Sequence, residues 1–166
     1  RVMTAVTATP GQVLAIVCGG IVLANLDLFI VNVALPSMAQ DFNEPNLGNL
    51  SWILNGYAIV YAALLVICGR LAERFPRNIS FLTGIAVFTV ASAACALATS
   101  VTTLVVFRLL QAAGAALLTP TSLGLILATF PAERRGGAVR VWAAVGGFAA
   151  ALGPLVGGLL LMASWR

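Results

Sequence analysis

The chain has 166 residues, of which 61% are hydrophobic and 8% charged, and its formal net charge is +4. Soluble domains are closer to roughly one-quarter charged, so a water-soluble fold of this length is excluded and the surrounding solvent must be lipid. The basic excess is all arginine and falls between apolar runs rather than in one patch, which excludes a nucleic-acid surface and marks membrane topology.

Five apolar stretches, near 13–35, 51–69, 79–98, 102–129 and 138–162, reach the roughly 20 residues that a helix needs to cross hydrocarbon. They predict an all-α integral membrane fold. Residues 1–12 form an amino-terminal segment, 13–162 a helical bundle, and 163–166 the start of a loop. The first stretch has too many successors to be a cleaved signal peptide. It carries Asn25, Asp27 and Asn32 before Pro36. An aspartate within a span is costly and marks a functional site by default. Asn25 and Asn32 share one helix face, and Asp27 lies about 200° from Asn25. One face meets a cavity and the other a neighbouring helix. The spacing leaves open which is which.

The second span carries Asn55, Tyr57 and Tyr61, residue types that bridge helices or reach a small-molecule cavity. Gly69-Arg70-Leu-Ala-Glu73-Arg74-Phe-Pro76-Arg77-Asn78 follows as a short turn with three cations and one anion. Spans three and four are joined by an uncharged segment at 99–102. Within the fourth span stands Arg108, followed by Gln111 on the same face. A charge there costs roughly 2.5–3.5 kcal/mol on insertion scales, so it belongs to a polar cavity or an ionic partner. Thr119 and Thr121 flank Pro120 further along. Arg134, Arg135 and Arg140 precede or begin the fifth span, in which Ala149, Gly153 and Gly157 form a smooth stripe beside Pro154.

The loop charges orient the chain. Asp41 and Glu44 lie in a loop without cations, whereas the two arginine-bearing loops belong in the cytoplasm, together with the amino terminus and Arg1. Span one then runs outward, with Asp27 roughly 10–12 Å below its outer end, and span four runs inward, with Arg108 roughly 9 Å below the same level. This predicts an Asp27–Arg108 ion pair or water-bridged contact, which Gln111 extends. Histidine is absent, and Cys18, Cys68 and Cys95 read as small buried hydrophobes without metal-like spacing. The sequence shows no Asp-x-x-x-Asp pair and no nucleophile beside a base, so an enzyme is not expected. An odd number of spans and an arginine at position 1 lead to the expectation of a fragment of a longer polypeptide.

Four stretches together resemble the major facilitator superfamily, in particular its 14-span drug:proton antiporter branch. Asp27-Leu-Phe29-Ile-Val-Asn32-Val-Ala-Leu-Pro36 resembles that branch's first-span motif, with Phe29 in place of threonine. The Gly69–Asn78 turn resembles the motif after span two, with Glu73 for aspartate, Pro76 for glycine and Asn78 for lysine. Arg108-Leu-Leu-Gln111-Ala112-Ala-Gly114 resembles the fourth-span motif. Gly153-Pro154-Leu-Val-Gly157-Gly158 resembles the fifth-span antiporter motif, with Ala149 at its leading glycine position.

The resemblance implies that the chain supplies five helices of an amino-terminal six-helix bundle. It also implies a proton gradient as energy source without a cofactor, and a plasma (inner) membrane location. Arg108 would serve proton coupling, with Asp27 as its partner. Gly69, Glu73, Arg74 and Arg77 would form a gating loop, and Gly153, Pro154, Gly157 and Gly158 would limit leakage. Asn32, Asn55, Tyr57 and Gln111 are candidates for a substrate cavity. The expected partners are the lipid bilayer, a small-molecule substrate and the carboxy-terminal helices of the same transporter. The function expected is export of amphipathic, drug-like compounds in exchange for protons, with this piece inactive alone. The alternatives are a non-transporting membrane remnant or scaffold, or an importer of another small solute.

Overall fold

The computed structural model describes residues 8–43 and 46–162. Among these residues it contains five α-helices and no strand: α1 (Pro10–Asp41), α2 (Leu47–Arg74), α3 (Arg77–Ala96), α4 (Val101–Thr129) and α5 (Ala132–Leu161). All five are long and apolar enough to cross a membrane. Several outlast their apolar runs. Gln40 and Asp41 extend α1, Arg70 to Arg74 extend α2, and Glu133 to Gly137 open α5. A helix satisfies its own backbone in lipid and in water alike, so hydropathy marks the crossing and not the helix end. Glu44 and the terminal residues 1–7 and 163–166, which carry part of the expected topology signal, lie outside the described residues.

The joints explain the abrupt turns. Thr9 and Gln12 form a reciprocal capping box at the start of α1. Asn46 Oδ1 caps α2 by accepting from Gly48 N–H at 2.8 Å, and Ser100 Oγ caps α4 by accepting from Thr103 N–H at 3.2 Å. The α2–α3 and α4–α5 joints both use Phe-Pro, with Pro76 and Pro131 as the residues before the next helix. Proline has no N–H to leave unsatisfied there. Pro76 sits at φ −55°, and no described glycine has positive φ. The turn therefore does not use the left-handed residue that glycine would permit in the resembled motif.

The helices alternate in direction and α4 is the hub. It packs on α1, α2 and α3, while α5 lies mainly along α1. The apolar run of α4 is 44% buried, against 22% for those of α1, α2 and α5. Leu23, Ile59, Val66, Val90, Phe148 and Leu155 project outward and are exposed, an arrangement suited to acyl chains and not to water.

Small residues set the closest approaches. A Cβ at Gly114 would lie 2.6 Å from Phe88 N and 2.9 Å from Phe88 Cα, so α3 and α4 meet backbone to backbone. A Cβ at Gly84 would likewise lie 3.2 Å from Leu118 N across the same seam. On the other side of the bundle, Gly153 and Gly157 are buried on α1 against Phe29 and Ile30. Phe29, the departure from threonine, thus fills the space that Gly153 leaves. Pro154 is exposed, and nothing lies within 4 Å of the Cβ position at Gly158. The fifth-span motif therefore splits into a packing pair and two residues that α1 does not use.

Asn25 adds a polar tie to this α1–α5 seam by donating from Nδ2 to the Gly146 carbonyl at 3.0 Å. Such interhelical bonds average about 0.6 kcal/mol. Asn25→Leu is expected to lower unfolding stability in detergent micelles by about that amount, measured by denaturant titration. An unchanged stability would mean that the bond contributes nothing.

Candidate functional site

Asp27 of α1 and Arg108 of α4 meet in the interior. Arg108 Nη1 donates to Asp27 Oδ2 at 2.5 Å and to Gln111 Oε1 at 2.6 Å, and Gln111 Nε2 donates to Asp27 Oδ1 at 2.9 Å. The three side chains close a ring in which each touches the other two. Arg108 is 1% exposed and Asp27 18%. This is the one ion pair among the described residues, and it is where the charge cost of both spans is offset.

The pair forms because of levels along the helices. Arg108 lies seven residues into α4, about 10 Å from its start, and Asp27 lies fourteen residues before the end of α1, about 21 Å. The last turns of α1 therefore overshoot α4, and the two charges still share a level.

Two further residues touch the ring, Tyr57 and Cys95. Tyr57 of α2, 3% exposed, lies under the guanidinium with its ring centroid 4.3 Å from Arg108 Cζ. This is a cation–π contact in a desolvated place, worth about 2 kcal/mol. Tyr57 stacks on Tyr61 at 6.2 Å and 8°, and the Tyr61 hydroxyl hydrogen-bonds Thr119 at 3.0 Å. From α3, Cys95 places its thiol 3.9 Å from Gln111 Oε1 as a weak donor. Arg108 Nε and Nη2 are buried and have no protein partner.

The open question about α1 resolves into two contacts. Asp27 faces α4 and Asn25 faces α5, since α1 is sandwiched between them. Asn32 is exposed and turns its amide back to the Leu28 carbonyl at 2.8 Å. Asn55 is exposed. Of the four candidate cavity residues, only Tyr57 and Gln111 join the ion pair. Thr121 and Ser122 are buried and bond carbonyls of their own helix beside Pro120. Cys95 is half-buried and polar in its contacts, not the plain hydrophobe expected. Its opposition to Gln111 depends on the α3–α4 register, which no spacing within one helix reveals.

At the arginine-rich end, Arg77 Nη1 donates to the Gly124 carbonyl at 2.9 Å, tying the start of α3 to α4. Its aliphatic stem covers Gly124, where a Cβ would lie 3.2 Å from Arg77 Cδ. Glu73 and Arg74 are exposed, and Glu73 makes no ion pair among the described residues. Glu73, Gly69 and Arg77 line a shallow pocket with Pro120 and Gly124. Of the charged residues of this turn, it is Arg77, at the surface, that is tied to α4.

The family model described as Major Facilitator Superfamily matches residues 17–166. The tetracenomycin C resistance and export protein of Streptomyces glaucescens is 41% identical over 152 residues, covering 92% of this chain and 28% of the relative. The methylenomycin A resistance protein of Streptomyces coelicolor is 43% identical over 145 residues, 87% of this chain and 30% of the relative. The riboflavin transporter RibZ of Clostridioides difficile is 34% identical over 149 residues, 90% of this chain and 32% of the relative. The chain thus spans about a third of the length of these relatives. With a matching family model over nearly its whole length and five apolar helices of spanning length, the chain belongs to the major facilitator superfamily.

Proposed function

We propose that these helices serve a proton-coupled exporter of amphipathic, drug-like compounds, and that Asp27 and Arg108 form its proton switch. The observation that carries the reading is the buried ring of Asp27, Arg108 and Gln111 at one level of the bundle. Intramembrane ion pairs of this kind mark ion pathways. A relative named for tetracenomycin C resistance and export and another named for methylenomycin A resistance support a drug-like substrate.

In this reading the arginine-rich ends of the helices face the cytoplasm of a plasma membrane, where positive loops are retained. A hydronium ion from the opposite side gives its proton to the Asp27 carboxylate and leaves as water. The carboxyl is then neutral, and its charge attraction to Arg108 is lost. Breaking a buried pair by removing one charge is worth roughly 3–5 kcal/mol, enough to shift a two-state equilibrium more than a hundredfold. Deprotonation restores the pair. α1 and α4, which carry the two charges, are the elements whose packing changes. Alternating access needs a second bundle to rock against this one, so the five helices alone are expected not to transport.

The test is substrate accumulation by the whole transporter in inverted membrane vesicles, with ethidium as the fluorescent lipophilic cation. Accumulation driven by an imposed pH gradient and abolished by a protonophore is the expected outcome. Accumulation that ignores the pH gradient would overturn the reading. A relative named as a riboflavin transporter favours a second reading, transport of another small solute through the same switch. Competition between riboflavin and ethidium in the same vesicles separates the two.

A further inference from the structure

A cavity of about 170 Å³ opens beside the ion pair, and its walls include Asp27, Arg108, Gln111, Ser92, Cys95 and Ala96. Ala96 is the last residue of α3, and Met38 and Leu104 of the same lining lie near the end of α1 and the start of α4, so the cavity extends from the buried charges toward the arginine-poor helix ends. The space in the other direction is filled. Tyr57, Phe88, Ala112, Ala115 and Leu118 are each at most 4% exposed and form one packed cluster on that side.

The polar inventory suits water. A water occupies about 30 Å³ of liquid and needs two to four polar partners, so the cavity accommodates several. Arg108 is only 1% exposed and its Nε and Nη2 are buried, so it holds Asp27 in place without offering those donors to the cavity. Ser92 and Cys95 add a hydroxyl and a thiol from α3. Asp27 keeps 18% of its side chain exposed.

We propose that this cavity is a one-sided proton antechamber, through which Asp27 exchanges protons with the arginine-poor face of the membrane along α3, inside the five-helix bundle. The proposal rests on the reading of Asp27 as the proton acceptor and adds its route. The groups that face Asp27 are Arg108 and Gln111 from α4, Tyr57 from α2 and Cys95 from α3. Of these, only Arg108 carries a formal charge. A hydronium ion entering past Ser92 and Cys95 transfers its proton to Asp27 Oδ and becomes one of the cavity waters. No other bond forms or breaks.

The test uses the whole transporter with Cys18, Cys68 and any cysteine outside residues 1–166 replaced by serine, so that Cys95 is the only thiol. The charged, membrane-impermeant reagent methanethiosulfonate ethyltrimethylammonium is added from one side at a time. Labelling of Cys95 from the arginine-poor side, with at least a tenfold loss of pH-driven ethidium efflux and unchanged ethidium binding, is the expected result. Ser92→Phe, which fills the same space without a reagent, is expected to slow efflux to a similar extent. Labelling only from the arginine-rich side, or efflux at the wild-type rate in Ser92→Phe, would overturn the route. Asp27→Asn in the same assay separates the two levels. Uncoupled transport in Asp27→Asn leaves the acceptor reading intact when the route fails, whereas normal coupling in Asp27→Asn removes both.

Discussion

Arg108→Ala is expected to abolish pH-driven efflux, with a fall of at least about a hundredfold that no external pH restores. The guanidinium supplies the charge that Asp27 opposes, one side of the Gln111 ring and the cation above Tyr57. Its removal leaves Asp27 with Gln111 alone and empties the place of a side chain that is 1% exposed. Breaking a buried pair from one side costs about 3–5 kcal/mol. Asp27 retains some exposure, so the lower part of that range applies. Loss of efflux from misfolding and loss from uncoupling are separable. Arg108→Ala combined with Asp27→Asn removes both charges, and it is expected to recover most of the folded yield while transport stays absent. Purified yield and melting in detergent check the first effect, and vesicle efflux the second. Arg108→Ala exporting ethidium normally across the pH range would remove Arg108 from the mechanism.

Gly114→Val is expected to prevent α3 from seating on α4. Even the first added carbon would lie 2.6 Å from the Phe88 backbone nitrogen, closer than real Cβ contacts come, and backbone cannot yield as a flexible side chain can. Overpacking a close core typically costs about 1–3 kcal/mol and sometimes more. Here α4 also carries the contacts to α1 and α2, so a displaced α3 is not a local loss. The measurement is melting temperature and yield in detergent, with Gly114→Ala as the milder case. Gly158→Ala is the control, because nothing lies within 4 Å of its Cβ position, and its stability is expected to stay within about 0.5 kcal/mol of the parent. Equal behaviour of Gly114→Ala and Gly158→Ala would show that the α3–α4 seam adapts freely.

What the amino-acid sequence revealed of this site, and what it withheld, follow from the solvent. In lipid a charge is rare and expensive, so Asp27 and Arg108 stand out against apolar surroundings, and helix rise alone put them at a common level. Rotation about the helix axis is another matter. A helix that is apolar on every side has no periodic signal for its inward face. Asn25, Asp27 and Asn32 therefore could not be sorted between neighbours until α1 was seen wedged between α4 and α5. For the same reason Tyr57 beneath Arg108, Cys95 beside Gln111 and the Gly84–Gly114 seam were not legible. Each depends on the register between two helices, and register belongs to neither sequence segment by itself. The split of the fifth-span motif has the same origin. Gly153 and Gly157 touch α1, whereas Pro154 and Gly158 share the stretch but not the face. The Glu73 turn shows the opposite limit. A short loop with three cations is obvious as a topology marker, but only coordinates show that Arg77 is the member bound to α4.

Proton movement, measured directly, is the decisive quantity. The whole transporter is reconstituted in liposomes that hold a pH-sensitive dye, no pH gradient is imposed, and an ethidium gradient is applied. The expected result is a change of lumenal pH that follows ethidium movement in the parent and vanishes in Asp27→Asn, although ethidium still binds. An ethidium-driven pH change of the same size in Asp27→Asn would contradict the assignment of the buried carboxylate and its arginine as the proton switch.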